Sequence, residues 1–134
     1  MTKEMWINLP VKDPVKSRKF YEALGCEVND QRSNDQMTAV IVGDQRIAVM
    51  LFRDDVFNRF INDSTPQQGT EVIFSFSSES PEAVREITER ARKAGATIFA
   101  EPQDVQGWMY TGGFADLDGH KWNALYMDMS KMPQ

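Results

Sequence analysis

Twice in this chain a side chain able to cap a helix stands directly before a proline, an apolar stripe follows, and a glycine ends the stripe. The first instance is Asp13-Pro14, with Ser17, Phe20, Tyr21 and Leu24 along one side, closed by Gly25. The second is Ser80-Pro81, with Val84, Ile87, Ala91 and Ala94, closed by Gly95. Asp and Ser accept hydrogen bonds from the free amides of a first helical turn, proline already has the φ that turn needs, and glycine tolerates the left-handed cap. Two helices are therefore expected. Around them lie stretches with strand character: Met5–Val11 before the first helix, then 26–29, 38–42 and 46–52; Glu71–Phe76 before the second, then 97–100, 108–115 and 121–127. Each half reads strand, helix, strand, strand, strand, a repeat of structure more than of sequence.

Turn chemistry agrees with this division. Gly43-Asp44-Gln45 joins the last two strands of the first half, and Asp118-Gly119 those of the second. Between the halves, Phe57, Phe60 and Ile61 have the spacing of a short amphipathic helix, and the polar segment 62–69, with Pro66 and Gly69, reads as a linker. The expected fold class is α+β: two βαβββ modules forming a curved mixed sheet around a concave pocket, helices outside. One domain spans 1–134, with module one over about 1–61 and module two over about 70–130. The last residues, "SKMPQ", are expected to fray.

At 134 residues with 41% hydrophobic and 26% charged side chains, the chain can bury a core of ordinary size. A net charge of -5 argues against nucleic acid as a partner, and no like-charge run is long enough for a membrane patch. The single cysteine, Cys26, rules out an intramolecular disulfide and reads as a small buried residue. No apolar stretch is long enough for a bilayer, and "MTKEMWINLP" lacks the apolar run of a signal peptide, so a soluble cytosolic protein is expected.

The stretches "NLPVKDPVKSRKFYEALGC" and "GWMYTGGFADLDGHKW", the latter followed by "YMD", resemble the vicinal oxygen chelate superfamily, which includes glyoxalase I, bleomycin-resistance proteins and extradiol dioxygenases. The closing hairpin is similar to the glyoxalase-like branch, whose members carry the label lactoylglutathione lyase. The resemblance implies the double βαβββ fold, a homodimer, and, in the enzymes, a divalent metal held by His, Glu or Gln from the first and fourth strands of each module. Carried onto this chain, those places are Trp6, Met50, Glu71 and Asn123. An indole nitrogen only donates, a thioether suits soft ions, and an amide oxygen carries no charge, which leaves Glu71 alone as an ordinary ligand. One carboxylate does not hold a catalytic zinc-type ion, which takes three protein ligands.

Other residues admit two readings each. His120, the only histidine, follows the Asp118-Gly119 turn, where backbone bonding competes with catalysis or ligation. Glu71 is either an exposed strand-start residue or a general base beside Trp6 and Met50. Trp6, Asn8, Met50, Trp108, Tyr110, Asn123 and Leu125 either line a pocket with Glu71 or fill it as core. Asn8 and Asn123 sit in apolar strands, so their amides bond each other or a neighbour, or face water or ligand.

The leading expectation is a small-molecule-binding protein with no metal or other cofactor, its site lying between the modules. The alternatives are a metal-dependent lyase or dioxygenase with displaced ligands such as Glu71, His120 or an aspartate, and a degenerate scaffold used for protein–protein contact.

Overall fold

The computed structural model describes residues 2–64 and 69–133, and the chain divides into two compact units, Met1–Gln68 and Gly69–Gln134. Residues 65–68 of the expected linker, Pro66 among them, and the terminal Gln134 lie outside the described residues.

The first unit runs β1 (Ile7–Val11), α1 (Pro14–Ala23), β2 (Glu27–Val28), β3 (Met37–Val42), β4 (Ile47–Arg53) and α2 (Asp54–Phe60). Its sheet has the order β1-β4-β3-β2, with β1 parallel to β4 and the rest antiparallel. α1 begins as its sequence dictates: the Asp13 carboxylate accepts from the amides of Val15 and Lys16 at 3.0 and 3.2 Å. Ser17, Phe20 and Tyr21 on α1, with Leu24 just past it, are buried. Alternation along the strands assigns Thr38, Val40, Val49 and Leu51 to the face that α1 covers, and Thr38 Oγ1 donates to the carbonyl of Pro14 at 2.7 Å.

The second unit runs β5 (Ile73–Ser77), α3 (Pro81–Lys93), β6 (Thr97–Val105), β7 (Met109–Ala115) and β8 (Lys121–Met127), with sheet order β5-β8-β7-β6 and β5 parallel to β8. Ser80 Oγ accepts from the amide of Ala83 at 3.1 Å, and Val84, Thr88 and Ala91 are the buried residues of α3. Both units are thus α+β with one four-stranded mixed sheet each, as the repeat predicts.

Several elements differ from expectation, among them β1, which begins at Ile7 and leaves Met5 and Trp6 outside the strand. β2 shrinks to two residues, because the Asn29 side chain accepts from the amide of Gln31 and starts a 3-10 turn over Asp30–Arg32. β5 begins at Ile73, leaving Glu71 outside the strand. β6 continues through Pro102 to Val105, which a sheet edge permits, since proline there forfeits no ladder bond. The helix between the modules buries its side through Val56 and Phe57, not through Phe60, which stays 59% exposed with its ring edge-on to Phe52. Among the described residues no helix is long and apolar enough to cross a membrane.

Candidate functional site

The parallel strand pairs define equivalent places in the two units: Asn8 lies beside Met50, and Ser75 beside Asn123. Residues paired across neighbouring strands share a face, and successive residues alternate. Met50 therefore stands on the face opposite α1, together with Ala39 and Phe52. Around Met50 that face is covered. Ala39, Met50 and Phe52 form a buried cluster against which Met37, Ala48 and the α2 residues Val56 and Phe57 pack, and Met50 is only 3% exposed. The Arg53 guanidinium holds α2 at its start, with two bonds to the Asp55 carboxylate at 2.6 and 3.0 Å. That hydrogen bonding brings the Asp55 carboxyl down to about 2. Asn8 is exposed, and Trp6 precedes β1 and is 53% exposed.

In the second unit the sequence-predicted residues separate onto different surfaces. Tyr110 belongs to the α3 face: its hydroxyl accepts from the Arg85 guanidinium at 3.0 Å, and Gly112, two residues on, lies under the Thr88 hydroxyl of α3. Asn123 and Leu125 have the opposite parity. Asn123 is level with Gly113 and Ser75, and Leu125 with Thr111 and Ser77. The expectation that Tyr110 lines one surface with Asn123 and Leu125 is thereby corrected. A count of alternating positions through β7 explains it, since Tyr110 and Asn123 belong to opposite pleats. Trp108 closes the turn before β7. Its carbonyl accepts from the Asp128 amide at 2.8 Å, and its indole nitrogen is buried with no hydrogen-bond partner among the described residues.

Glu71 is exposed and stands two residues before β5. Trp6 lies two residues before Asn8; the same step back from Ser75 reaches Ile73, which also matches the spacing from each helix cap. The register thus sets Ile73, not Glu71, opposite Trp6 in the repeat. His120 serves the turn through its backbone: Asp116 Oδ1 accepts from the amides of Asp118 and His120 at 3.0 and 2.9 Å, and the His120 carbonyl accepts from the Asp116 amide at 2.8 Å.

A divalent metal of the kind the resemblance implies does not fit these residues. Met50 is packed in hydrocarbon under α2, Ile73 has no donor atom, and Asn123 offers a neutral amide. Among the described residues no three His, Cys, Asp or Glu side chains gather where they could hold an ion.

Two features of the second unit have no plain signature in the sequence. One is a cleft of about 430 Å³ on the α3 side, lined by Arg85, Thr88, Glu89, Arg92, Glu101, Pro102 and Tyr110. Its guanidiniums are already matched: Arg92 bonds both Glu101 oxygens at 2.7 Å and Glu89 at 3.1 Å, and Arg85 bonds Glu82 at 3.1 Å. The other is Phe99. A register shift between Ile98 and Ala100 leaves Phe99 out of the ladder, and its ring lies over Gly113, where an added Cβ would come within 2.5 Å of it. The consecutive glycines Gly112-Gly113 inside a strand are the signal for such close approaches. Phe99 thus joins Asn123 on the face away from α3, 44% exposed, with the Lys121 ammonium 5.6 Å from its ring centre.

The model of the Glyoxalase/Bleomycin resistance protein/Dioxygenase superfamily matches residues 5–124. Among solved structures, a hypothetical protein from S. aureus is 33% identical over 94% of each chain, with a TM-score of 0.82. A glyoxalase/bleomycin resistance protein/dioxygenase family enzyme from Burkholderia phytofirmans PsJN is 15% identical over 92% of this chain and 97% of its own, with a TM-score of 0.80. A lactoylglutathione lyase from Agrobacterium tumefaciens is 18% identical over 94% of each chain, with a TM-score of 0.65. The likeness of the last two is one of fold, which hosts more than one chemistry. No curated protein matches the chain in sequence.

Proposed function

The chain belongs to the glyoxalase/bleomycin resistance protein/dioxygenase superfamily, and from that premise we propose that it binds a small molecule without a catalytic metal, on the face of the second sheet that α3 leaves bare. One observation carries the reading. Asn123 and Ser75 stand side by side there, and neither side chain has a hydrogen-bond partner among the described residues. An amide and a hydroxyl left unused beside an exposed aromatic ring are the few convergent polar groups that orient a ligand on an apolar surface. The corresponding pair in the first unit has no such freedom on its Met50 side, which α2 covers.

The test has two arms. Chelator-treated protein is titrated with nickel, zinc, manganese and ferrous ions by calorimetry; absence of stoichiometric binding is the expected result, and a tight one-to-one site refutes the metal-free reading. A fragment library is then screened by amide chemical shifts. Shifts clustered on β5, β7 and β8 support the reading, and a library that moves none of them refutes it. The reading includes the homodimer that the resemblance implies, and a monomer mass in sedimentation equilibrium at assay concentrations refutes that part.

A further inference from the structure

The bare face of the second sheet has a chemical character that narrows its ligand. Strands β5, β7 and β8 contain no acidic residue and only one basic residue, Lys121. Lys121 is level with Ala115 and Ile73, and so shares its face with Asn123 and Ser75. It makes no ion pair among the described residues, and its ammonium lies over the Phe99 ring. The ring itself is built into place, since the bulge turns Phe99 out of the β6 ladder and the missing side chain of Gly113 gives it room. A cation without a carboxylate, an amide and a hydroxyl without partners, and a ring fixed beside them thus converge on one patch.

Resting on the reading that this face holds a small molecule, we infer that its ligand is a planar monocarboxylate, with its flat apolar part against Phe99 and its carboxylate on Lys121. The Asn123 amide, adjoined by Ser75, supplies a second donor to the same anion. The single ammonium decides between anions: one positive charge matches a monocarboxylate, whereas phosphate esters and dicarboxylates require further cations that these strands do not contain. The ring decides between shapes, because an aromatic face favours an offset-stacked or edge-on planar partner over a puckered aliphatic one.

The probe is benzoate, with benzamide and cyclohexanecarboxylate as controls for charge and planarity, titrated into the full chain labelled with nitrogen-15. Benzoate is expected to move the backbone amides of Phe99, Gly113, Lys121 and Asn123 and the Asn123 side-chain amide, and to bind more tightly than either control. Lys121→Met, and independently Lys121→Gln, should weaken benzoate about tenfold, the worth of one charge-assisted contact at a half-exposed site. Phe99→Leu should bring benzoate and cyclohexanecarboxylate to near-equal affinity. Both positions lie outside the buried core, and the unligated amide spectrum of each variant checks that the fold is kept. Equal benzoate affinity in the Lys121 variants, or shifts that fall elsewhere, overturns the inference. Should other fragments move these amides while benzoate does not, the ligand class is wrong and the binding face stands. Should no fragment move them, the binding face falls and this inference with it.

Discussion

Replacing Met50 by glutamate introduces, at the fourth-strand place of the first unit, the residue type that the superfamily's metal enzymes use, and the structure predicts that this chain does not tolerate it. Met50 is 3% exposed, among Ala39, Phe52, Val56 and Phe57, with no cation in that cluster. A carboxylate forced there is desolvated, which raises its pKa by roughly 2–3 units from the usual value of about 4.3, at about 1.36 kcal/mol per unit. Met50→Glu should therefore lose roughly 3–4 kcal/mol at pH 8. The folded form binds the proton more tightly than the unfolded one. The charge-dependent loss is accordingly absent below about pH 4, grows as pH rises towards the folded-state pKa near 7, and is constant above it. Met50→Leu keeps volume and apolarity and should cost less than about 1.5 kcal/mol. Urea unfolding followed by far-ultraviolet circular dichroism between pH 5 and pH 8 measures both variants against the parent chain. If the glutamate variant matches the leucine variant and its stability difference from the parent is flat with pH, α2 does not cover this face and the argument for a closed first unit fails.

Other expectations follow from single contacts. Asp116, buried at 6% exposure, accepts two turn amides, so Asp116→Ala should lower stability by about 1–3 kcal/mol, read as a fall in the urea midpoint. A Cβ at Gly112 would stand 2.7 Å from the Thr88 hydroxyl and 3.2 Å from Pro102, so Gly112→Ala should cost about 1–3 kcal/mol. Adding Thr88→Ala should recover part of that loss, and a strictly additive double mutant contradicts the contact. Burial raises the Cys26 thiol to about 11, so at pH 8 its alkylation by iodoacetamide should run on the order of a hundredfold slower than that of a free thiol; an equal rate refutes the burial.

The residues that were legible in the sequence are those whose physics is local. Asp13-Pro14 and Ser80-Pro81 start α1 and α3 because capping and proline geometry act within one turn, and Lys121–Met127 reads as a strand because an apolar, aromatic-containing run follows directly on the Asp118-Gly119 turn. Signals that depend on position in a sheet were not legible. Pro102 argues against a strand until β6 is known to be an edge, and the bulge that turns Phe99 onto Gly113 leaves no mark in the alternation of Thr97–Ala100. The site suffered in the same way. Motif spacing points to Glu71 as the first-strand place of the second module, whereas the parallel register of β5 with β8 sets Ile73 there. Tyr110 and Asn123 read in sequence as lining residues of one pocket, whereas pleat parity separates them.

What distinguishes the two halves of the repeat is the segment that leaves the fourth strand. After β4 the chain reads Asp54-Asp55-Val56-Phe57 and turns at once into α2, stapled by the Arg53–Asp55 pair, so that Val56 and Phe57 close over Met50. After β8 the equivalent segment begins Asp128-Met129-Ser130. The Asp128 carboxylate accepts from the Ser130 amide, and only a 3-10 turn forms, over Met129–Lys131. Three residues of 3-10 turn cannot lay an apolar side over the neighbouring strands as the seven-residue α2 does over β3 and β4. Asn123 therefore keeps the open surroundings that Met50, its counterpart on the fourth strand of the first unit, has lost. The asymmetry is sequence-encoded, and under the proposed function it is why the ligand is placed on the second half. A chimera that places residues 54–60 after β8 should cover the amides expected to respond to benzoate and abolish their shifts, while the unligated amide resonances of α1 and β3 stay where they are; undiminished benzoate shifts in that chimera would refute the assignment.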